Sequence, residues 1–284
     1  MRDSDFVIPF DELPERFARS VENPPAVPVE PRPAATIVLL RDGAAGLEAL
    51  LMRRSHSSGF VPGAYVFPGG RVDGSDAAPA VVARTDGLTR EAAAERLGAP
   101  DADPPALAYY LAALREAFEE TGILVAVGAD RSPPPTAAED LAVDRVREEL
   151  MADRIAFAEA LDRLECRLAG DSVEYFAHWI TPEAEPRRYD TRFFAAKVRA
   201  GAVPRVDRRE MTDALWLAPA EALARTGRGE LPMVFPTIRT LERLCAYATA
   251  EEALTDLGRA PVPTIMPTLV VTPTGIGLRL DEEG

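Results

Sequence analysis

Three glutamates, Glu116, Glu119 and Glu120, stand at i, i+3 and i+4 in a segment whose apolar residues repeat with helical spacing. Leu107, Tyr110, Leu111, Leu114 and Phe118 make the apolar stripe, and the glutamates fall on the opposite side of the wheel. Their carboxylates are expected to converge on one patch, where they repel one another unless a cation sits among them. Magnesium suits such a patch, being a hard ion that takes carboxylate oxygens together with water and phosphate oxygens. Arg115 flanks the patch and is placed to orient a carboxylate. Glutamates on a helix face are, taken alone, ordinarily a solvated face.

The cluster has company. Upstream, Phe67-Pro68-Gly69-Gly70 marks a sharp turn or a close backbone approach, and Thr121-Gly122-Ile123 follows the glutamates directly. With these neighbours the sequence resembles the Nudix hydrolases, whose signature is G-x5-E-x7-R-E-U-x-E-E-x-G-U, with U a bulky apolar residue. The second half stands here as Arg115-Glu116-Ala117-Phe118-Glu119-Glu120-Thr121-Gly122-Ile123, with alanine in place of the usual bulky residue at 117. The first half starts at Gly70, and Asp76 stands where glutamate is usual. Between Asp76 and Arg115 lie 38 residues, where the usual signature has seven. The box is therefore split by an insertion.

A narrower resemblance, to the coenzyme A diphosphatase-like branch, runs from about residue 34 to 255. It is carried by the split box, His178-Trp-Ile-Thr-Pro182, Arg187-Arg-Tyr-Asp-Thr-Arg-Phe-Phe194 and Glu210-x5-Trp216-x2-Pro219. Leu50-Leu-Met-Arg-Arg-Ser55 and Gly63-x3-Phe67-Pro-Gly-Gly70 match the ends of a second coenzyme A-associated motif, but Gly59 replaces its second arginine.

The resemblance implies metal-dependent cleavage of a diphosphate linked to another group, with Mg²⁺ or Mn²⁺ as cofactor and coenzyme A or acyl-coenzyme A as leading substrates. It implies Glu116, Glu119 and Glu120 as metal ligands, with Glu119 also a catalytic candidate, and the Gly69 carbonyl completing the shell. Arg115 would orient the carboxylates, and Asp76 has no assigned role. A further acid from a later loop is expected: Glu210 first, with Glu174 and Asp213 behind it. Arg53, Arg71, Arg188 and Arg192 are the candidates for binding substrate, and Arg187 has the same two readings, phosphate grip or solvated loop. His178, between Phe176 and Trp179, reads as a hydrogen-bonded structural residue in preference to a base. Two other classes stay open. One is a catalytically degenerate Nudix module that binds a nucleotide and regulates. The other is an interaction protein built on helices at 137–168, which otherwise shape a substrate pocket or a homodimer interface.

The elements that position these residues read as follows. A proline-rich arm spans 1–34 and an α/β domain 35–260, with insertions at about 77–106 and 129–170 and an extended tail at 261–284. Ala35–Leu40 and Leu47–Met52 form a hairpin turning at Asp42-Gly43. A short helix covers Arg90–Leu97, ended by Gly98. The glutamate helix covers 104–121, capped by Asp103 and closed by Gly122. Ile123–Val127 is a strand. Helices are expected at 137–150, with Thr136 and Glu139 as a capping box, and at 153–168. Strands follow at Val173–Ile180, Thr191–Val198 and Ala214–Leu217, a short helix at Pro219–Ala224 and a longer one at 237–254. The tail from Pro261 to Leu280 reads as an edge segment. This order gives a Nudix-type α/β/α sandwich with a mixed sheet.

Composition sets the outer limits. The chain has 284 residues and a net charge of −14, with 47% hydrophobic and 27% charged residues, an ordinary globular balance. Such an acidic chain lacks the basic footprint of a nucleic-acid binder. Cys166 and Cys245 form no C-x-x-C pair, so neither a zinc knuckle nor a disulfide framework is expected. No signal-like apolar segment, bilayer-length apolar run or peroxisomal ending is visible, so no membrane partner and a cytoplasmic location are expected. All but one of the 32 basic residues are arginine, and glutamine is absent. That bias suggests a GC-rich, bacterial genome and weakens any argument from arginine clusters alone.

Overall fold

The structure is a computed structural model, and it describes residues 7–9, 25–56, 62–207 and 209–280. Residues 1–6 and 10–24 of the arm, residues 57–61 including Gly59, Arg208 and the last four residues lie outside the described residues.

The Ala-Thr-Ile-Val-Leu-Leu run has apolar residues on both faces, and such a strand is stable only with cover on both sides. It forms the centre of β2 (Arg32–Gly43), which pairs antiparallel with β3 (Gly46–Arg54) and parallel with β10 (Tyr189–Lys197). The hairpin turn falls at Ala44-Ala45, two residues beyond the expected Asp42-Gly43, and Gly46 takes the positive φ of 120°. With β9 (Val173–Ile180), β11 (Met211–Leu217) and β12 (Thr264–Ile265) the sheet order is β11-β3-β2-β10-β9-β12. Two short strands add to it: β4 (Tyr65–Val66) on β3 and β5 (Gly69–Arg71) on β2.

The two faces carry separate cores. Ile37, Leu39, Leu50 and Met52 pack with Leu107, Leu111, Leu114 and Phe118 of α3 (Ala106–Thr121). Val38, Leu40 and Leu51 pack with α7 (Phe235–Leu244) and α8 (Ala250–Arg259) on the other side. This is the expected sandwich. α7 and α8 replace the single helix expected at 237–254: Thr249 starts a new helix by accepting from Glu252 N–H. α6 (Pro219–Gly227) extends past the expected end at Ala224.

The stretch between β5 and α3 holds α1 (Pro79–Val82), β6 (Thr85–Asp86) and α2 (Arg90–Leu97), which Thr89 caps and Gly98 closes. The stretch between α3 and β9 holds β7 (Ala126–Gly128), α4 (Leu141–Met151), α5 (Phe157–Arg163) and β8 (Cys166–Ala169). β8 stands where a helix end was expected. It pairs with β6 and β7, so one small sheet ties the two stretches together. Thr136 makes only half of a capping box: its N–H donates to Glu139, while Asp140 caps α4. In the tail, β13 (Thr268–Val271) and β14 (Gly275–Arg279) form a hairpin, joined by β1 (Val7–Pro9) from the arm. No helix among the described residues is long and apolar enough to cross a membrane.

Candidate active site

α3 begins without a side-chain cap: its cap position is Pro105, not Asp103. Its end is built more firmly. Gly122 adopts φ 67°, and its N–H donates to the Phe118 carbonyl. The Thr121 hydroxyl donates to the Ala117 carbonyl and accepts from Ile123 N–H. Arg147 of α4, 2% exposed, donates from Nε to the carbonyls of Phe118 (3.0 Å) and Glu119 (2.9 Å) and from Nη2 to Glu120 (3.4 Å). The last carbonyls of a helix lack partners within it and form its negative pole, so a buried guanidinium belongs there. Nothing in the sequence marked Arg147, because the contact joins segments 27 to 29 positions apart.

The three glutamates sit near this negative pole and are not a solvated face: Glu120 is 8% exposed, and Glu116 and Glu119 are largely covered. They share one patch but are held by two different anchors. Arg115 Nη1 holds both Glu116 Oε1 (2.8 Å) and Glu119 Oε2 (3.0 Å), whereas Glu120 Oε2 accepts from Gly69 N–H (3.0 Å). Among the described residues no three acidic, His or Cys side chains form a ready-made cation cage.

Arg115 is fixed in turn by Asp76. Its Nε donates to Asp76 Oδ1 (2.7 Å), and its Nη2 donates to Asp76 Oδ2 (3.1 Å) and to the Arg71 carbonyl (3.1 Å). Asp76 Oδ2 also accepts from Asp73 N–H at 2.8 Å. Asp76, without a role on sequence grounds, is thus the anchor that brings the split halves together. Burial opposes the charge on Arg115, but the bond to Asp76 and the fields of Glu116, Asp76 and Glu119 more than offset it and hold the guanidinium charged.

Gly69 and Gly70 are required by contact. A Cβ on Gly70 would run into the Glu116 carboxylate, and one on Gly69 would lie 2.5 Å from the Ala35 carbonyl oxygen. The N–H of Gly69 is the group seen at work, on Glu120.

The electrostatics favour a cation. Burial pushes the Glu116 carboxyl up to about 7, partly countered by Arg115 and reinforced by Glu119. Burial likewise raises Glu119. Burial, then the charge of Glu116, raises Glu120 well above the usual range. Buried hard oxygen donors that resist ionisation for want of positive charge fit a divalent ion.

The remaining candidates divide. Glu210 is exposed, and its charge acts on Glu120. Asp207 fixes its loop by accepting from the N–H groups of Arg209 and Glu210, and Ser55 N–H donates to the Glu210 carbonyl at 2.7 Å. Glu174 packs against Gly258 of α8, and Asp213 accepts from the Tyr65 hydroxyl on the opposite face of the sheet. Arg53 shares that opposite face with Leu51, stacks over Tyr65 and bonds His56. Strand alternation turns Arg54 toward α3 instead, where its charge acts on Glu120. Arg71 is exposed and contributes its carbonyl. Arg188 is a structural tie: 7% exposed, it bonds the carbonyls of Thr181 and Val29 and approaches the Met266 sulfur. Arg192 is enclosed near Tyr109 and Asp190, by the first half of α3. His178 is a structural clamp, with Nε2 2.5 Å from Asp190 Oδ1 and Nδ1 2.8 Å from Thr264 Oγ1.

Residues 26–244 match the model of the NUDT19 Nudix domain. The chain belongs to this family. The acyl-coenzyme A diphosphatase NUDT19 of Xenopus laevis is 27% identical over 233 residues, covering 72% of this chain and 61% of the relative. That of Gallus gallus is 31% identical over 264 residues, covering 77% and 69%. That of Homo sapiens is 28% identical, covering 74% and 63%. The chain therefore spans less than two thirds of the frog and human relatives. A NUDIX hydrolase crystal structure from Alicyclobacillus acidocaldarius superposes with a TM-score of 0.66 at 31% identity, covering 82% of this chain and 99% of that one.

Proposed function

We propose that this Nudix chain hydrolyses the diphosphate of a nucleoside diphosphate derivative, with coenzyme A or an acyl-coenzyme A as the leading substrate. One observation carries the reading: the split signature is reassembled through Asp76 and Arg115 around three buried glutamates. The names of the vertebrate relatives support the substrate class.

Glu116, Glu119 and Glu120 would hold the divalent ion, which when bound offsets phosphate charge and lowers the pKa of a coordinated water. Arg115 sets the spacing of Glu116 and Glu119. Gly69 N–H holds Glu120. Arg147 fixes the backbone that carries Glu119 and Glu120. Glu210, on an exposed loop and close enough for its charge to act on Glu120, is the candidate to take a proton from water as it adds to phosphorus and a diphosphate P–O bond breaks. Arg54 is the basic side chain of β3 on the side of the carboxylates.

Asp76, Ala117 and the split box are the departures from the signature that would suit a degenerate regulatory module. Asp76 completes the Arg115 site, and Ala117 packs fully buried in the α3 core, so neither departure disrupts the site. The test is product release from coenzyme A, acyl-coenzyme A, ADP-ribose, NADH and dinucleoside polyphosphates, with and without Mg²⁺ or Mn²⁺, beside the Glu119→Gln, Glu120→Gln variant. Metal-dependent turnover lost in the variant supports the proposal. Nucleotide binding without turnover on any compound overturns it.

A further inference from the structure

A cavity of about 700 Å³ opens between α4 and residues 204–207 and 209, within the size range of small-molecule sites. Met151 and Val206 give it apolar wall, and Arg147, Arg154, Arg205 and Arg209 line it as well. These arginines are not equivalent. Arg147 is committed to the end of α3, and Arg205 Nη2 lies 2.7 Å from Asp144 Oδ2. Arg154 and Arg209 have no side-chain hydrogen bond or ion pair with any other described residue. Two uncommitted guanidiniums on the walls of one concavity suit a phosphate, which they can grip in bidentate fashion.

A second observation points to an occupant. Asp144 also lines the cavity and is 5% exposed, yet its Oδ1 accepts no hydrogen bond and stands 3.8 Å from Arg147 Nη1. A buried carboxylate oxygen without a donor is costly, and a ligand hydroxyl or amino group would satisfy it. Two of the lining arginines are chain neighbours of acids whose charges act on the carboxylates, and Arg147 of the lining holds the backbone of Glu119. Arg154 follows Asp153, whose charge reaches Glu119, and Arg209 precedes Glu210, whose charge reaches Glu120.

We propose that this cavity receives the nucleoside end of the substrate, and that Arg154 and Arg209 hold a phosphate monoester borne on its ribose, away from the diphosphate that is cut. Asp144 accepts from a hydroxyl or amino group of the same nucleoside. The assignment rests on the diphosphate-hydrolase reading above and narrows it. The preferred substrate carries a third phosphate, as coenzyme A does and ADP-ribose, NADH and 3′-dephospho-coenzyme A do not.

Binding and turnover test it separately. Calorimetric titration with adenosine 3′,5′-bisphosphate and with AMP needs no catalysis. The unmodified protein is expected to bind the bisphosphate about tenfold more tightly, the value of one added charge-assisted contact. In the Arg154→Ala, Arg209→Ala variant, folded by its thermal transition, that preference is expected to fall to about twofold or less. In parallel, the kcat/KM ratio of coenzyme A to 3′-dephospho-coenzyme A should fall with it. Equal affinity for the two nucleotides in the unmodified protein overturns the subsite, and so does a preference that survives the double variant. A binding preference that behaves as expected, with neither coenzyme hydrolysed, refutes the hydrolase reading and leaves the subsite standing.

Discussion

Replacing Asp76 by asparagine tests how the split signature is held together. Three N–H donors converge on the Asp76 carboxylate: Arg115 Nε, Arg115 Nη2 and Asp73 N. Asparagine keeps the shape but offers one oxygen, and its NH₂ points at a donor whichever way the amide is turned. The pair is buried, with side-chain exposures of 1% for Asp76 and 11% for Arg115. Removing one partner of a buried ion pair costs about 3–5 kcal/mol. Arg115 keeps Glu116 and Glu119, so the lower end, about 3 kcal/mol, is expected. For a domain of this size that lowers Tm by roughly 6–12 °C. The loosened Arg115 would also let Glu116 and Glu119 drift, and a displacement of about 1 Å costs on the order of tenfold or more in kcat. Thermal unfolding in EDTA and turnover in Mg²⁺ read the two effects. A Tm shift below about 2 °C, or a double-mutant cycle with Arg115→Met showing no coupling, would refute the reasoning. Asp76→Glu, though it restores the residue usual in the signature, adds a methylene at a packed position and is expected to destabilise by about 1–3 kcal/mol.

Gly70→Ala should leave a folded protein with kcat reduced about tenfold or more, because the new methyl displaces the Glu116 carboxylate; circular dichroism and turnover together check it. Arg147→Met strips three carbonyls at the end of α3 of their donor, and is expected to cost about 2–4 kcal/mol in urea unfolding and to lower kcat with it. Without metal, stability should fall as pH rises. The Glu116 carboxyl is raised from 4.5 to about 7, so the folded state holds its proton more tightly, and the benefit present below pH 4.5 is lost through about pH 7. The loss is about 1–3 kcal/mol, reversed by Mg²⁺ and flattened by Glu116→Gln; a Tm in EDTA that is level or rising from pH 5 to pH 8 contradicts it.

Much of this was legible in the sequence where the signal was local. The apolar run of β2, the period of α3, Thr89 and Gly98 around α2, and Gly122 at the end of α3 each declare themselves within a few residues. The carboxylates and Arg115 were visible for the same reason. What sequence reading missed depends on contacts across the chain. Asp76 gains its role from a residue 39 positions away, and Arg147 from carbonyls on another helix. Arg53 and Arg54 differ only in which way the strand turns them. Arg188 looked like a phosphate grip and is spent on backbone carbonyls of the arm and a loop. The long helix expected at 237–254 failed because its apolar spacing continues across the break that Thr249 caps.

The interruption of the signature has a consequence for how freely such chains can vary. Closing a flexible loop grows only with the logarithm of its length, so separating the two halves by 38 residues instead of seven adds about 1.5 kcal/mol of closure entropy. That is less than the roughly 3 kcal/mol expected for breaking the buried pair that joins them, and doubling the separation again would add only about 0.6 kcal/mol. Contiguity is therefore a habit of this signature more than a physical requirement. A search that demands fixed spacing passes over chains like this one, whereas one that seeks an acid after a Pro-Gly-Gly turn, and an Arg-Glu helix at any distance, would retrieve them.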